Sequence, residues 1–129
     1  MASRNPPPST QPGIPRILIV EDEMNLSALL YAILTDEGYE VEQAYSLSDA
    51  FHLIDEHAFD GAVLDVELGD GVVFSMADVL KARGIPHFFL SAVYRGVVPA
   101  AHGATRFVSK PYSLDEIRRE VGDMLERPQ

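Results

Sequence analysis

From Arg16 onward, short continuous apolar runs alternate with stretches whose apolar residues recur at helical spacing, and few architectures accept that alternation. Arg16–Val20 reads as a buried strand, bounded by Pro15 and by the acidic Glu21-Asp22-Glu23. Leu26, Leu29, Leu30, Ile33 and Leu34 then mark one helix face, which Gly38 ends as a C-cap. Glu40–Ala44 reads as a shorter, more polar strand. Ser46-Leu47-Ser48-Asp49 has the form that opens a helix, with Ala50, Phe51, Leu53 and Ile54 as its buried face. Gly61–Leu64 is a third apolar strand ending at Asp65. A helix is expected from about Val72 to Lys81, stopped by Gly84 and Pro86. His87–Leu90 is a fourth strand, and a short helical stretch around Tyr94–Ala101 is interrupted by Gly96 and Pro99. Thr105–Val108 is a fifth strand. A last helix starts at Ser113, which pairs with Glu116 as a capping box ahead of Leu114, Ile117, Val121 and Leu125.

Strands alternating with helices in this way form parallel βαβ units with right-handed crossovers and helices on both faces of the sheet. The first, third and fourth strands are the most apolar and suit the centre, and the polar second strand suits an edge. The expected fold is therefore an α/β, flavodoxin-like, five-stranded parallel sheet in the order 2-1-3-4-5. Residues 16–127 make up this domain. Residues 1–15, with Pro6, Pro7, Pro8, Pro12 and Pro15 among Ser, Thr, Gln and Gly, read as a disordered Pro-rich leader.

Composition narrows the function. The chain has no cysteine, which removes disulfides and thiolate chemistry. Its apolar runs are too short to span a bilayer, and its N-terminus has no signal-peptide pattern, so a cytoplasmic protein without membrane contact is expected. The formal net charge of −10 opposes direct nucleic-acid binding, which needs phosphate neutralisation, but does not oppose metal cations or basic partners.

In an open α/β sheet, ligands bind outside the carboxyl ends of the strands where strand order reverses. Glu21 and Asp22 follow the first strand, Asp65 the third, Ser91 and Ala92 the fourth, and Ser109-Lys110-Pro111 the fifth. Clustered carboxylates with room for water suit Mg²⁺. An aspartate among them can be a carboxylate nucleophile toward phosphorus. A lysine and a hydroxyl suit the phosphoryl oxygens, in a transfer that depends on positioning and charge. Each feature alone has a plainer explanation: an acidic pair favours a helix dipole, an aspartate caps a turn, a lysine is solvated. Their coincidence on successive strand ends is what carries weight. Other chemistries lack their signatures. His52, His57, His87 and His102 have no zinc-ligand spacing, and neither a G-x-x-x-x-G-K-[ST] loop nor a G-x-S-x-G elbow is present.

The stretches ILIVEDE (Ile17–Glu23), AVLDVEL (Ala62–Leu68), FFLSA (Phe88–Ala92) and FVSKPYSLDEI (Phe107–Ile117) resemble the receiver, or chemotaxis-protein-like, domain of bacterial two-component response regulators, over roughly Arg16 to Glu126. The resemblance implies Glu21 and Asp22 as a Mg²⁺ pair, Asp65 as phosphoacceptor and metal ligand, and a metal contact through the Glu67 backbone carbonyl. It implies Lys110 as the phosphoryl-contacting lysine, Ser91 as switch hydroxyl, Phe107 as switch aromatic and a cis Lys110–Pro111 bond. Phe107 also fits simple core packing along its strand. The implied partners are a histidine kinase or a histidine phosphotransfer protein and an unnamed downstream protein, in a phosphorelay rather than a turnover reaction. Whether the receiver forms a homodimer stays open.

The sequence departs from the family pattern in three respects. The loop after Asp65, VELGDG, has no proline. The 26 positions from Asp65 to Ser91 and the 19 from Ser91 to Lys110 are short, so the third and fourth helices are expected to be reduced. Glu67 adds a fourth carboxylate, which would either join the metal shell through water or repel a phosphodonor. No output domain follows, so a stand-alone or excised receiver is expected. Two other readings remain: a degenerate receiver that binds a protein without phosphorylation, and a small Mg²⁺-dependent phosphatase. The second lacks loops that could enclose a substrate.

Overall fold

The computed structural model describes residues 13–68, 71–92, 99 and 102–126, with the backbone alone at 71–72. Its elements are β1 (Arg16–Val20), α1 (Met24–Asp36), β2 (Glu40–Ala44), α2 (Leu47–Glu56), β3 (Gly61–Asp65), β4 (Glu67–Leu68), β5 (Gly71–Val72), α3 (Phe74–Ala82), β6 (His87–Ser91), β7 (Phe107–Ser109) and α4 (Leu114–Glu126). Five strands form one parallel sheet in the order β2-β1-β3-β6-β7, which is the expected 2-1-3-4-5 arrangement of the main strands. β4 and β5 pair antiparallel in a separate two-stranded hairpin. That hairpin was not expected, and it takes Val72 away from the third helix, which starts at Phe74 instead.

Strand side chains alternate between two apolar layers, as the two-residue period requires. Ile17, Ile19, Val63, Phe88 and Leu90 meet Leu30, Ile33 and Leu34 of α1 and Ile117, Val121 and Met124 of α4. Leu18, Val20, Ala62, Leu64 and Phe89 meet Ala50 and Ile54 of α2 and Met76, Ala77 and Leu80 of α3. β1, β3 and β6 are buried throughout, while β2 is mostly half-buried at its edge.

Local sequence sets the helix ends. Gly38 (φ 96°) follows α1, with its N–H bonded to the Thr35 carbonyl and the Tyr39 N–H to the Leu34 carbonyl. Gly84 (φ 71°) ends α3 with the same paired bonds, to Lys81 and from Ile85 to Leu80. Both are Schellman closures, which need a left-handed residue. Ser46 caps α2 through the Asp49 N–H, and Ser113 and Glu116 exchange side-chain-to-backbone bonds at the start of α4. Among the described residues, no helix is long and apolar enough to cross a membrane. Residues 1–12 of the expected leader and most of the expected helical stretch at Tyr94–Ala101 lie outside the described residues.

Candidate functional site

The carboxyl ends of the central strands are tied together by backbone bonds. The Glu21 N–H donates to the Ala44 carbonyl, Val66 to Leu90, and Lys110 to Ser91, at 2.9–3.0 Å. The residues that follow β1, β3, β6 and β7 are thereby held at one edge of the sheet. Glu23 fixes the turn out of β1 by accepting from the Asn25 and Leu26 N–H groups at the start of α1.

Asp65, 2% exposed, closes β3. Its Oδ2 accepts from Lys110 Nζ at 2.7 Å and its Oδ1 from the Glu67 N–H at 2.8 Å. Lys110 Nζ also lies 3.7 Å from Glu21 Oε1. Burial works to lower the Lys110 pKa, but the Asp65 hydrogen bond and the charges of Asp65, Glu21 and Glu67 outweigh it and raise it. The Lys110–Pro111 bond is cis.

Glu21 is 1% exposed. Its Oε2 accepts from the Glu23 N–H at 3.1 Å, whereas its buried Oε1 has no hydrogen-bond partner among the described residues. Burial is the main cause that pushes the Glu21 pKa from 4.5 to about 8. The neighbouring Asp65, to which a protonated Glu21 can donate, adds to that, while the Glu23 N–H and Lys110 oppose it. Glu21, the exposed Asp22 and Asp65 bring one oxygen each within 4.8 Å of one another. A buried glutamate with one oxygen that accepts no hydrogen bond among the described residues, grouped with two further carboxylates, fits a hard cation that takes oxygen ligands.

Ser91, fully buried at the end of β6, donates from Oγ to Glu67 Oε2 at 2.5 Å. The Ala92 N–H donates to Glu67 Oε1 at 3.2 Å. The Glu67 side chain therefore lies on Ser91 and Ala92 rather than in the acidic trio. Phe107 is half-buried and packs against the α2–α3 layer.

Sequence reasoning named Ser91, Lys110 and the carboxylates but missed two features. One is the grip of Glu67 on Ser91, a contact across 24 positions that no local pattern signals. The other is the setting of Tyr112, which is half-buried with its hydroxyl oxygen enclosed and without a hydrogen-bond partner among the described residues. Burial, then the charges of Glu21, Asp65 and Glu23, raise its pKa, so it stays neutral beside the acidic groups. Lys110-Pro111 two residues earlier was the available signal that Tyr112 lies near the site. His102 and His57 do other work. His102 Nε2 meets Asp78 Oδ1 at 2.7 Å and stacks on Phe74, and His57 Nδ1 meets Arg16 Nη1 at 2.9 Å.

Comparison with known proteins bears on the family and the fold. A family model described as "Response regulator receiver domain" matches residues 17–122. The transcriptional regulatory protein DltR of Streptococcus agalactiae is 31% identical over 111 residues, covering 82% of this chain and 50% of DltR. TcrA of Mycobacterium tuberculosis is 34% identical over 107 residues, covering 79% of this chain and 42% of TcrA. The chain thus spans about half the length of these curated relatives. Among solved structures, the non-phosphorylated HemR receiver domain of Leptospira biflexa superposes with a TM-score of 0.78 at 32% identity, covering 89% of this chain and 97% of that one. The response regulator TrrA of Thermotoga maritima, solved in complex with Mg²⁺–BeF, gives 0.74 at 25% identity, covering 86% and 99%.

Proposed function

The chain belongs to the response regulator receiver domains, and from that premise we propose that it accepts a phosphoryl group on Asp65 in a Mg²⁺-dependent transfer from a histidine kinase or histidine phosphotransfer protein. The observation that carries this reading is the setting of Asp65. It is a buried carboxylate at a strand end, held through one oxygen by Lys110 and through the other by a backbone N–H, beside Glu21 and Asp22.

An Asp65 carboxylate oxygen attacks phosphorus in line, and the bond from phosphorus to the donor atom breaks with its electron pair leaving on the donor. On a phosphohistidine that pair returns to the imidazole nitrogen; on acetyl phosphate it leaves as acetate. The product is an aspartyl phosphate. Glu21, Asp22 and Asp65, with the Glu67 backbone carbonyl, are the groups that would hold Mg²⁺. Bound there, the ion would neutralise the carboxylates and the phosphoryl oxygens. Lys110 holds positive charge against the transferred oxygens, and the Ser91 hydroxyl donates to one of them. Ser91 and Phe107 are the residues we assign to relaying the change, and output is through a protein partner. The relay operates in the cytoplasm, on the domain of residues 16–127 that follows the Pro-rich leader.

The test is intact mass after incubation with acetyl phosphate and Mg²⁺. We expect one added phosphoryl group in the wild type and none in Asp65→Asn or in EDTA. Equal labelling of Asp65→Asn would overturn the assignment of the acceptor, and no adduct in any sample would point to a protein-binding module instead.

A further inference from the structure

Three groups here are suited to hold the oxygens of a transferred phosphoryl group: Lys110 Nζ, the Ser91 hydroxyl and the Ala92 N–H. In this structure each is already bound to a carboxylate of the chain. Asp65 Oδ2 takes Lys110, while Glu67 Oε2 takes Ser91 and Glu67 Oε1 takes Ala92. The two contacts of Glu67 use both of its oxygens, so it spans the hydroxyl and the amide as a bidentate anion. The Glu67 charge also acts on Lys110. Glu67 begins the short hairpin β4–β5, and its own N–H donates to Asp65. Backbone and side chain of one residue thus reach the acceptor and the anion donors together.

We propose that Glu67 is a built-in competitor for the phosphoryl group: its carboxylate occupies the Ser91–Ala92 donor pair in the resting site and must swing away before an anion bound at Asp65 can use those donors. The proposal rests on the phosphoacceptor reading above and adds a residue that sets how readily the site accepts its ligand. Its physical basis is exchange. A hydroxyl and an N–H cannot serve a carboxylate and a phosphoryl oxygen at once, and a charge-assisted bond must be broken before its replacement forms. Because Glu67 is otherwise exposed, its side chain can leave toward solvent without disturbing the core.

The test uses beryllofluoride with Mg²⁺ as the anion probe, titrated into the full chain as wild type, Glu67→Ala and Glu67→Asp. Aspartate keeps the charge but is one methylene too short to span Ser91 and Ala92. If occupancy is what matters, both variants bind the probe more tightly than wild type, by about tenfold for one charge-assisted bond no longer broken. Without Mg²⁺ or probe, the Ala92 amide proton resonance moves upfield in both variants as its acceptor is lost. The proposal is overturned if Glu67→Asp behaves as wild type while Glu67→Ala binds more tightly, since charge alone would then explain the gain. It is overturned equally by unchanged or weakened binding in both variants, or by an Ala92 resonance that stays in place. If no protein, wild type included, takes up the probe, the phosphoacceptor reading itself fails and this inference with it.

Discussion

Glu21 and Asp65 show how far a charged residue can be driven by its neighbours. Two buried carboxylates beside one another resist double ionisation, and Lys110 compensates chiefly Asp65, at 2.7 Å against 3.7 Å for Glu21. Glu21 therefore keeps its proton to about pH 8, against an ordinary value of 4.5. In that interval the folded chain holds a proton that the unfolded chain has lost, so stability falls as pH rises. The contribution of the neutral acid is fully present below about 4.5 and gone above about 8. In EDTA, the urea midpoint of Glu21→Gln should gain on wild type steadily between those values, because glutamine has no proton to lose. Saturating Mg²⁺ favours ionised Glu21 and should flatten the wild-type slope. A difference between the two proteins that stays constant across the interval would show that Glu21 titrates as an ordinary glutamate.

At the scale of elements, the helix boundaries carry the most local information. Gly38 has open space where a Cβ would stand, so Gly38→Ala costs only the left-handed backbone, about 1 kcal/mol. Urea denaturation should register that loss with an unchanged slope, and a loss near zero would mean that the closure of α1 rearranges freely. Gly38, Gly84, Ser46, Ser113 and Glu116 were all legible in the sequence, because a cap is decided within a few residues. The strand order was legible too, since the apolarity of β1, β3 and β6 and the polarity of β2 reflect burial directly. What escaped is nonlocal or brief. β4 and β5 are two residues each, too short to show a period, and their pairing alone moved the start of α3 past Val72. The Glu67–Ser91 contact joins two elements that only the finished fold brings together, so the sequence could place a fourth carboxylate near the site but not its partner. His102 and Asp78 met in the same unannounced way.

For the whole molecule, the sheet order matters because β1 sends the chain to β2 on one side and β3 sends it onward to β6 on the other. The connections diverge, and the crevice between them is where Glu21, Asp22 and Asp65 gather. The whole chain carries a net charge of −10, so attraction of Mg²⁺ by the overall field must be separated from capture by the trio. Distance separates them. Asp36 ends α1, 13 residues in length, while Asp22 stands just before its start, so the two are about 20 Å apart along the helix. That is about two and a half Debye lengths at physiological ionic strength. Asp36→Asn and Asp22→Asn remove the same charge, yet only the second removes a carboxylate oxygen from the trio. Melting temperature followed against MgCl₂ at constant ionic strength should rise in wild type and Asp36→Asn along the same curve, approaching a stabilisation of about 2.7 kcal/mol at a hundredfold excess over Kd. Asp22→Asn should need much more Mg²⁺ for the same rise. If Asp36→Asn weakened the response as much as Asp22→Asn, the ion would be held by the field of the acidic surface, and the crevice would lose its claim to be a built metal site.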